Sequence, residues 1–283
     1  MHTTIYLHPK RTLVAQWDTD GEAPVISSYR EYAPTADIRS DLRIDATVTV
    51  ALHASATRWH HFPVDADDDG PVRTAFEIST CLPDIDPTLD RIVAINERTR
   101  GTNRQWCALA AIPRTVVDDI AQRIGPEAHI VPDVQCDIHV ALTCIAPQPH
   151  SWVLMGLRGE MWICAIISPE HTVESIVAFP VDPSISYTEN AVECFYGIRS
   201  TSEHQVSHVL FFGDELTKSR YEEVASRLSD DSIIIGRLQP FRRVAASVDD
   251  ATKRSLLALA HLVGPLVAPV LPSFAENESR ENP

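Results

Sequence analysis

Two glycines in the stretch VLMGLRGEMWICAI, residues 153–166, have the type and spacing for phosphate chemistry. Gly156 and Gly159 lie between apolar runs that predict two strands joined by a tight turn. A residue without Cβ leaves backbone N–H groups open to an anion, so such a turn could clamp a phosphate. The same residues are ordinary turn formers, and the stretch would then be only a hairpin. The choice separates a nucleotide-using enzyme from a scaffold.

Other chemistry-bearing residues do not form a motif. His60 and His61 are neighbours on a predicted strand and point to opposite faces, so they cannot hold one metal ion together. Cys136 and His139 share one helical turn, but no second pair accompanies them, and no metal site is expected. The sequence contains no G-x-S-x-G elbow of a serine hydrolase.

Composition narrows the class of protein. The 283 residues are enough for two domains, and the formal net charge of −15 argues against nucleic acid or an anionic membrane surface as the main partner. The six cysteines are scattered through apolar contexts and predict buried, reduced thiols, as expected in a cytoplasm. The longest apolar stretch, 255–272, is interrupted by Gly264 and Pro265 and predicts a core helix rather than a membrane span.

Two stretches of the chain share one order of predicted elements. Residues 4–32 and 152–181 each predict three short antiparallel strands. Helical periodicity and a further strand follow each set, so each half predicts a β-β-β-α-β-α order. Residues 57–131 interrupt the first half and predict an inserted α/β module. A final helix, beginning near Asp250, is predicted to cross back to the first half.

The predicted fold class is therefore α/β, with two lobes and an inserted subdomain. The first lobe is predicted to comprise residues 1–56, 132–150 and 250–283. The inserted subdomain is predicted over 57–131, and the second lobe over 151–249.

The order of the segments resembles that of the PilM family of type IV pilus assembly proteins. VTVALHASATRWHHFPV (48–64) is similar to the strand leading into the inserted subdomain that this family shares with the cell-division protein FtsA. HVLFFGDELTKSRYEEVASRL (208–228) resembles the family's strand, turn and helix near the adenine. LQPFRRVAASVDDATKRSLLALAHLVGPLV (238–267) looks like its N-P-F segment and closing helix. The resemblance implies an actin-like (ribonuclease-H-like) fold.

The chain departs from the family pattern at the nucleotide. An actin-like site needs two hairpin turns around the phosphates and carboxylates that hold Mg²⁺, and the usual turn pattern is Asp-x-Gly. The first hairpin has neither Asp nor Gly between Thr3 and Trp17. In the second, Gly156 takes the place of the acid and Arg158 that of the glycine. The sequence therefore predicts a degenerate site without ATP or Mg²⁺.

The residues left at this site are expected to be vestiges of phosphate and adenine turns, namely Gly156, Gly159, Gly213 and Asp214. An ATPase would need other carboxylates, and Asp133 and Asp137 on the helix closing the first half are the best placed. For Asp133 the plainer role, as the N-cap of that helix, is favoured over a role at a nucleotide.

The resemblance also implies a partner. Proteins of this family bind the cytoplasmic tail of a single-pass inner-membrane protein of a pilus or secretion platform, in a groove that offers main-chain hydrogen bonds and apolar pockets. Trp59, Phe62 and Phe241 are the aromatic candidates for that groove. The chain is then a non-catalytic cytoplasmic scaffold, recruited peripherally to the inner membrane without inserting into it. The cytoplasmic domain of the secretion protein GspL has a similar layout.

Two alternatives remain open from the sequence. One is a nucleotide-binding actin-like ATPase or kinase of the same superfamily, which the substituted turns disfavour. The other is a filament-forming structural protein, since actin-like folds can self-associate head to tail.

Overall fold

The computed structural model describes residues 2–18, 24–42, 47–65, 70–86, 90–98, 104–202, 205–213, 216–229, 233–240 and 245–262. Their strands form a six-stranded sheet, a five-stranded sheet and a three-stranded sheet.

The first sheet begins with an antiparallel meander and a parallel fourth strand. Its strands are β1 (His2–His8), β2 (Arg11–Asp18), β3 (Val25–Tyr32) and β4 (Thr47–Leu52). β4 pairs in parallel with β1, which places β1 inside the sheet and buries it on both faces. Ile5 and Tyr6 at its centre are completely buried, and the polar Thr3 and Thr4 are buried beside them. Between β3 and β4, where the sequence predicts a helical piece, a short 3-10 turn spans Arg39–Asp41.

The inserted segment forms the small antiparallel sheet with one helix against it. Its elements are β5 (Arg58–Asp65), α1 (Gly70–Cys81), β6 (Asp90–Arg98) and β7 (Arg104–Pro113). The strand order is β5-β7-β6, and Phe62, Ile78 and Leu109 lie in its separate core.

After the insertion the chain returns to the first sheet. The returning elements are α2 (Arg114–Arg123), β8 (His129–Pro132) and α3 (Asp133–Cys144). Ile120 of α2 packs in the same core as Val50 of β4, and β8 pairs in parallel with β4. The predicted boundary between the inserted subdomain (57–131) and the first lobe (from 132) therefore falls within β8, because the whole of β8 belongs to the first sheet.

The second sheet repeats the order of the first. Its elements are β9 (Ser151–Arg158), β10 (Met161–Ile167), β11 (Val173–Pro180), α4 (Tyr187–Arg199), β12 (Val206–Phe212), α5 (Lys218–Leu228) and β13 (Ile234–Arg237). The strand orders β3-β2-β1-β4-β8 and β11-β10-β9-β12-β13 match position for position. Ser186 and Glu189 form a reciprocal capping box at the start of α4, and Thr217 caps α5. The duplicated order of strands predicted from the sequence is confirmed, whereas the helix predicted between β3 and β4 is only a 3-10 turn.

The end of the described chain crosses back to the first sheet. β14 (Ala245–Ala246) pairs in parallel with β3, so the predicted second lobe, 151–249, ends too late. α6 (Asp250–Ala258) and a short 3-10 turn (Ala260–Leu262) follow it. Leu256, Leu259 and Leu262 are buried in one core with residues of α3 and of both large sheets. No helix within the described ranges has the length and apolarity needed to cross a bilayer.

Candidate functional site

The turn that joins β9 to β10 is a two-residue hairpin turn, Gly159–Glu160. Gly159 has φ +62, and this positive value at the first turn residue matches a type II′ turn, where glycine is preferred. Gly156, predicted to share the turn, lies instead inside β9, paired with Ile163. A Cβ there would lie 2.5 Å from the carbonyl oxygen of Phe212, so the glycine serves the close approach of β9 and β12.

The first hairpin turn, between β1 and β2, offers few donors to an anion. Pro9 has no backbone N–H, and the N–H of Lys10 donates to Nδ1 of His8 at 3.1 Å. Both residues of this turn thus lack a free backbone donor of the kind that a phosphate clamp uses.

Arg158, the last residue of β9, places its guanidinium between the two halves of the molecule. The residue is 1% exposed, and its Nη2 donates to Oδ2 of Asp137 at 2.6 Å. Its Nε lies 3.5 Å from Oδ2 of Asp133. Phe212 stacks beneath it, with the guanidinium carbon 4.9 Å from the ring centroid. The two carboxylates that could have served a magnesium ion are thereby paired with an internal cation.

Asp133 is the first residue of α3, and its predicted role as the N-cap is wrong. Pro132 occupies that position, and no side chain caps the helix. The Asp133 carboxylate accepts hydrogen bonds from the hydroxyl of Tyr6 at 3.2 Å and from the N–H of Val134 at 2.7 Å. Complete burial raises the pKa of Asp133 to about 6, although Arg158 and these hydrogen bonds act in the opposite direction.

One histidine contacts the guanidinium, and two others lie near the ring of Tyr6. Nη2 of Arg158 lies 3.0 Å from Nδ1 of His261, and the ring of His261 lies 3.9 Å from that of Tyr6. Burial and the adjacent guanidinium hold the pKa of His261 well below its usual value, so its ring is neutral and accepts a hydrogen bond from Arg158. His53 packs edge-on against His8 at 4.7 Å, and a Cβ on Gly159 would lie 2.9 Å from its Cε1.

Three of the four predicted vestigial residues surround this cluster. Gly213, just after β12, has φ +110, and a Cβ there would lie 3.1 Å from Nη1 of Arg158. Gly156 and Gly159 flank Arg158 in β9 and in the following turn. Asp214 lies outside the described residues.

The two predicted partner-binding aromatics that the structure describes, Trp59 and Phe62, do not lie on one exposed surface. Phe62 is 4% exposed and packs in the core of the inserted sheet, which argues against it as a contact residue. Trp59 is half-buried and packs against two cores, those of the first sheet and of the space between the large sheets. Phe241 lies outside the described residues.

The partners of Arg158 could not be predicted from sequence spacing. They lie 21 and 25 residues before it in α3 and 103 residues after it, at His261. One signal was available in the sequence. Arg158 is the single charge in the otherwise apolar run WVLMGLRG, and a charge predicted inside a buried strand requires a buried partner.

Two lobes with matching sheets, joined around buried carboxylates, define the actin-like fold class, and solved structures confirm it. One is a PilM–PilN type IV pilus biogenesis complex, with a TM-score of 0.67 and 10% identity over 95% of this chain and 99% of that one. Another is a protein of unknown function with an actin-like ATPase fold from Bacteroides thetaiotaomicron, with a TM-score of 0.55 and 9% identity over 90% of this chain and 95% of that one.

A third similar structure is the cytoplasmic domain of EpsL, an inner-membrane component of the type II secretion system of Vibrio cholerae. Its TM-score is 0.46, with 13% identity over 75% of this chain and 81% of that one. No protein-family model and no curated protein matches the chain. The similarities show the fold, which is the PilM-like, actin-like α/β fold predicted from the sequence.

Proposed function

We propose that this chain is a non-catalytic, actin-like scaffold of a type IV pilus or type II secretion platform. It acts in the cytoplasm and is recruited to the inner membrane by binding the cytoplasmic tail of a single-pass membrane protein. The observation that carries the proposal is the buried cluster of Arg158 with Asp133 and Asp137, next to the hairpin turn of the second lobe.

A nucleotide would have to displace the Arg158 guanidinium from the two carboxylates. Phosphates bound between the turns need backbone donors and a magnesium ion held by carboxylates. Here Asp133 and Asp137 are fully buried and paired with a guanidinium, and the first turn has its donors removed or used. Separating one partner of a buried ion pair costs about 3–5 kcal/mol. Nucleotide binding would carry that cost before either carboxylate could hold a metal ion.

The partner is proposed from the fold and from one exposed surface. A protein of the same fold, PilM, has been solved in complex with PilN. In this chain, α1 of the inserted subdomain exposes Val72 (65%) and Phe76 (56%), one helical turn apart on one face. Exposed apolar side chains at this spacing can anchor a short apolar segment of a partner. Val72 and Phe76 therefore replace Phe62 as the proposed contact residues.

Titration calorimetry with ATP and Mg²⁺, with an EDTA control, tests the non-catalytic part. We expect no heat of binding up to millimolar nucleotide. Micromolar, magnesium-dependent binding would overturn this part and favour the ATPase alternative.

A peptide-binding measurement tests the partner. The probe is a synthetic peptide matching the cytoplasmic tail of a single-pass membrane protein encoded next to this chain. We expect the full chain to bind it and the pair of substitutions Val72→Ala and Phe76→Ala to weaken it about tenfold or more. Ile234→Ala, which removes a 60% exposed apolar side chain from the second sheet, serves as the matched control. If the full chain binds no such peptide, the scaffold proposal is rejected.

A further inference from the structure

A second cluster of chemically active side chains lies in the inserted subdomain, outside the Arg158 cluster. Nε2 of His60 lies 2.9 Å from Oε2 of Glu77, and Sγ of Cys81 lies 3.4 Å from the same oxygen. One ligand atom from each of the three residues falls within 4.8 Å of the other two. A histidine, a carboxylate and a thiol so placed are a donor set suited to transition metals.

The elements hold these three side chains in position. Glu77 and Cys81 are four residues apart on α1, so they share one face of the helix, and Cys81 is its last residue. His60 lies on β5 opposite that face, and its ring stacks on Phe62 with centroids 5.4 Å apart and planes 16° apart. Ile78, 5% exposed, packs α1 against the sheet. The helix and the strand therefore present the donors without rearrangement of the backbone.

We propose that His60, Glu77 and Cys81 form a site for Zn²⁺ or a divalent metal of similar ligand preference. Zinc lies about 2.0–2.3 Å from nitrogen, oxygen and sulfur ligands, so the donor atoms of a tetrahedral site are about 3.3–3.6 Å apart. Of the present distances, 2.9 Å and 3.4 Å are close to this range, and small rotations of the side chains complete the geometry. Three protein ligands leave a fourth position for water or a ligand from a partner.

The surroundings of Glu77 support a ligand role. This residue is 6% exposed, and its second carboxylate oxygen, Oε1, accepts from Nη2 of Arg73 at 2.7 Å. That contact fixes the orientation of the carboxylate and leaves Oε2 aimed at His60 and Cys81, as outer partners of metal ligands do. With Cys81 as a thiolate, the cluster would carry two negative charges against Arg73, so a divalent cation leaves a small net charge.

Metal binding at this site should release a proton. A cysteine binds a metal ion as the thiolate, so the metal must displace the thiol proton of Cys81. Metal affinity should therefore fall as the pH is lowered.

This site was not predicted from the sequence, because its ligands are not close neighbours along the chain. His60 is 17 residues from Glu77, and the two meet only when α1 folds onto β5. The useful signal was Glu77 and Cys81 at helical spacing in VRTAFEISTCL.

The test is a Co²⁺ titration of the full chain, in a reductant that does not chelate metals, with Zn²⁺ competition. We expect one equivalent to bind with micromolar or better affinity, with a thiolate-to-cobalt charge-transfer absorption that Zn²⁺ abolishes. Cys81→Ser should remove the absorption, and His60→Ala and Glu77→Gln should weaken binding tenfold or more. The matched control is His150→Ala, which removes an exposed histidine outside the cluster.

Two results would overturn the site. One is cobalt binding without the charge-transfer absorption, and the other is binding that the three variants leave unchanged. Because Cys81 is exposed, Cys81→Ser should fold normally, and it keeps the test decisive even if His60→Ala disturbs β5. The outcome is independent of the scaffold proposal, since neither the nucleotide nor the tail peptide enters this measurement.

Discussion

At the scale of single residues, Arg158 is the cation that pairs with the two buried carboxylates, Asp133 and Asp137. Its side chain is completely buried, and so are those of both carboxylates that it contacts. A buried charge without a partner costs far more than a buried pair, because the interior cannot solvate it. The effect of removing Arg158 should therefore come mainly from the two acids that stay behind.

We expect Arg158→Met to lower the free energy of unfolding by about 3–5 kcal/mol, measured by urea denaturation. Adding Asp137→Asn to this variant should restore part of the loss, because it removes one of the orphaned charges. Lys218→Met is the control, since Lys218 is 88% exposed and its ion pair lies at the surface. A loss below about 1 kcal/mol for Arg158→Met would contradict the buried pairing.

Asp133 should make the free energy of unfolding depend on pH, and the direction of the change follows from its raised pKa. Burial raises its pKa from 3.8 to about 6, so between these values the folded state holds a proton that the unfolded state has released. The contribution of Asp133 to stability is therefore present below pH 4 and is lost as the pH rises through 6. About two pKa units correspond to roughly 3 kcal/mol.

We expect the difference in the free energy of unfolding between the wild type and Asp133→Asn to depend on pH. The stability of the wild type relative to this variant should fall by about 2–3 kcal/mol between pH 4 and pH 7. Urea unfolding at several pH values measures it, and Asp250→Asn, at an exposed carboxylate, is the control. A difference that is constant with pH would show that Asp133 is already ionised throughout this range.

At the scale of elements, the close contact of β9 with β12 is possible because Gly156 has no side chain. Gly156 is paired with Phe212, whose carbonyl oxygen and ring would both lie within 3 Å of a new Cβ. Gly156→Ala should destabilise the fold by about 1–3 kcal/mol, because β9 must move away from β12. The midpoint of thermal unfolding measures this.

Gly197→Ala is the matched control for that substitution. Gly197 lies inside α4, where a Cβ would meet only Phe179 at 3.5 Å, an ordinary contact distance. Alanine there should raise stability by about 0.5–1 kcal/mol through helix propensity. Equal effects of the two substitutions would refute the close approach of β9 and β12.

The elements also show how far the sequence alone could lead. Alternating apolar residues and the capping signals at Ser186 and Thr217 are local, so the two meanders, α4 and α5 could be predicted. The position of Gly156 inside a strand could not, because its reason is Phe212 on another strand. The pairing of Arg158 with Asp133 and Asp137, like the contact of His60 with Glu77, depends on tertiary folding rather than on sequence spacing. The actin-like fold was thus predictable, whereas the buried cluster of Arg158 with its two carboxylates was only partly predictable.

At the scale of the whole molecule, one core joins the two lobes. It contains Tyr6 and Trp17 from the first sheet, Trp152 and Leu154 from the second, and Leu256 from α6. Side chains in such a core lose contacts if the lobes separate, so separation of the lobes is opposed by apolar burial as well as by the Arg158 cluster. Such a shared core suits the proposed scaffold, since an enzyme that closes on a nucleotide needs its lobes to move.

We expect Leu256→Ala to weaken both large sheets together, because its side chain packs in the shared core. The loss should be about 2–5 kcal/mol, and hydrogen exchange should show equally reduced protection in β1 and β9. Leu109→Ala is the matched control, since Leu109 lies in the core of the inserted sheet, and its effect should be greatest in β5 and β7. If Leu256→Ala reduced protection in only one large sheet, the lobes would be separate cooperative units, and the argument for a rigid scaffold would fail.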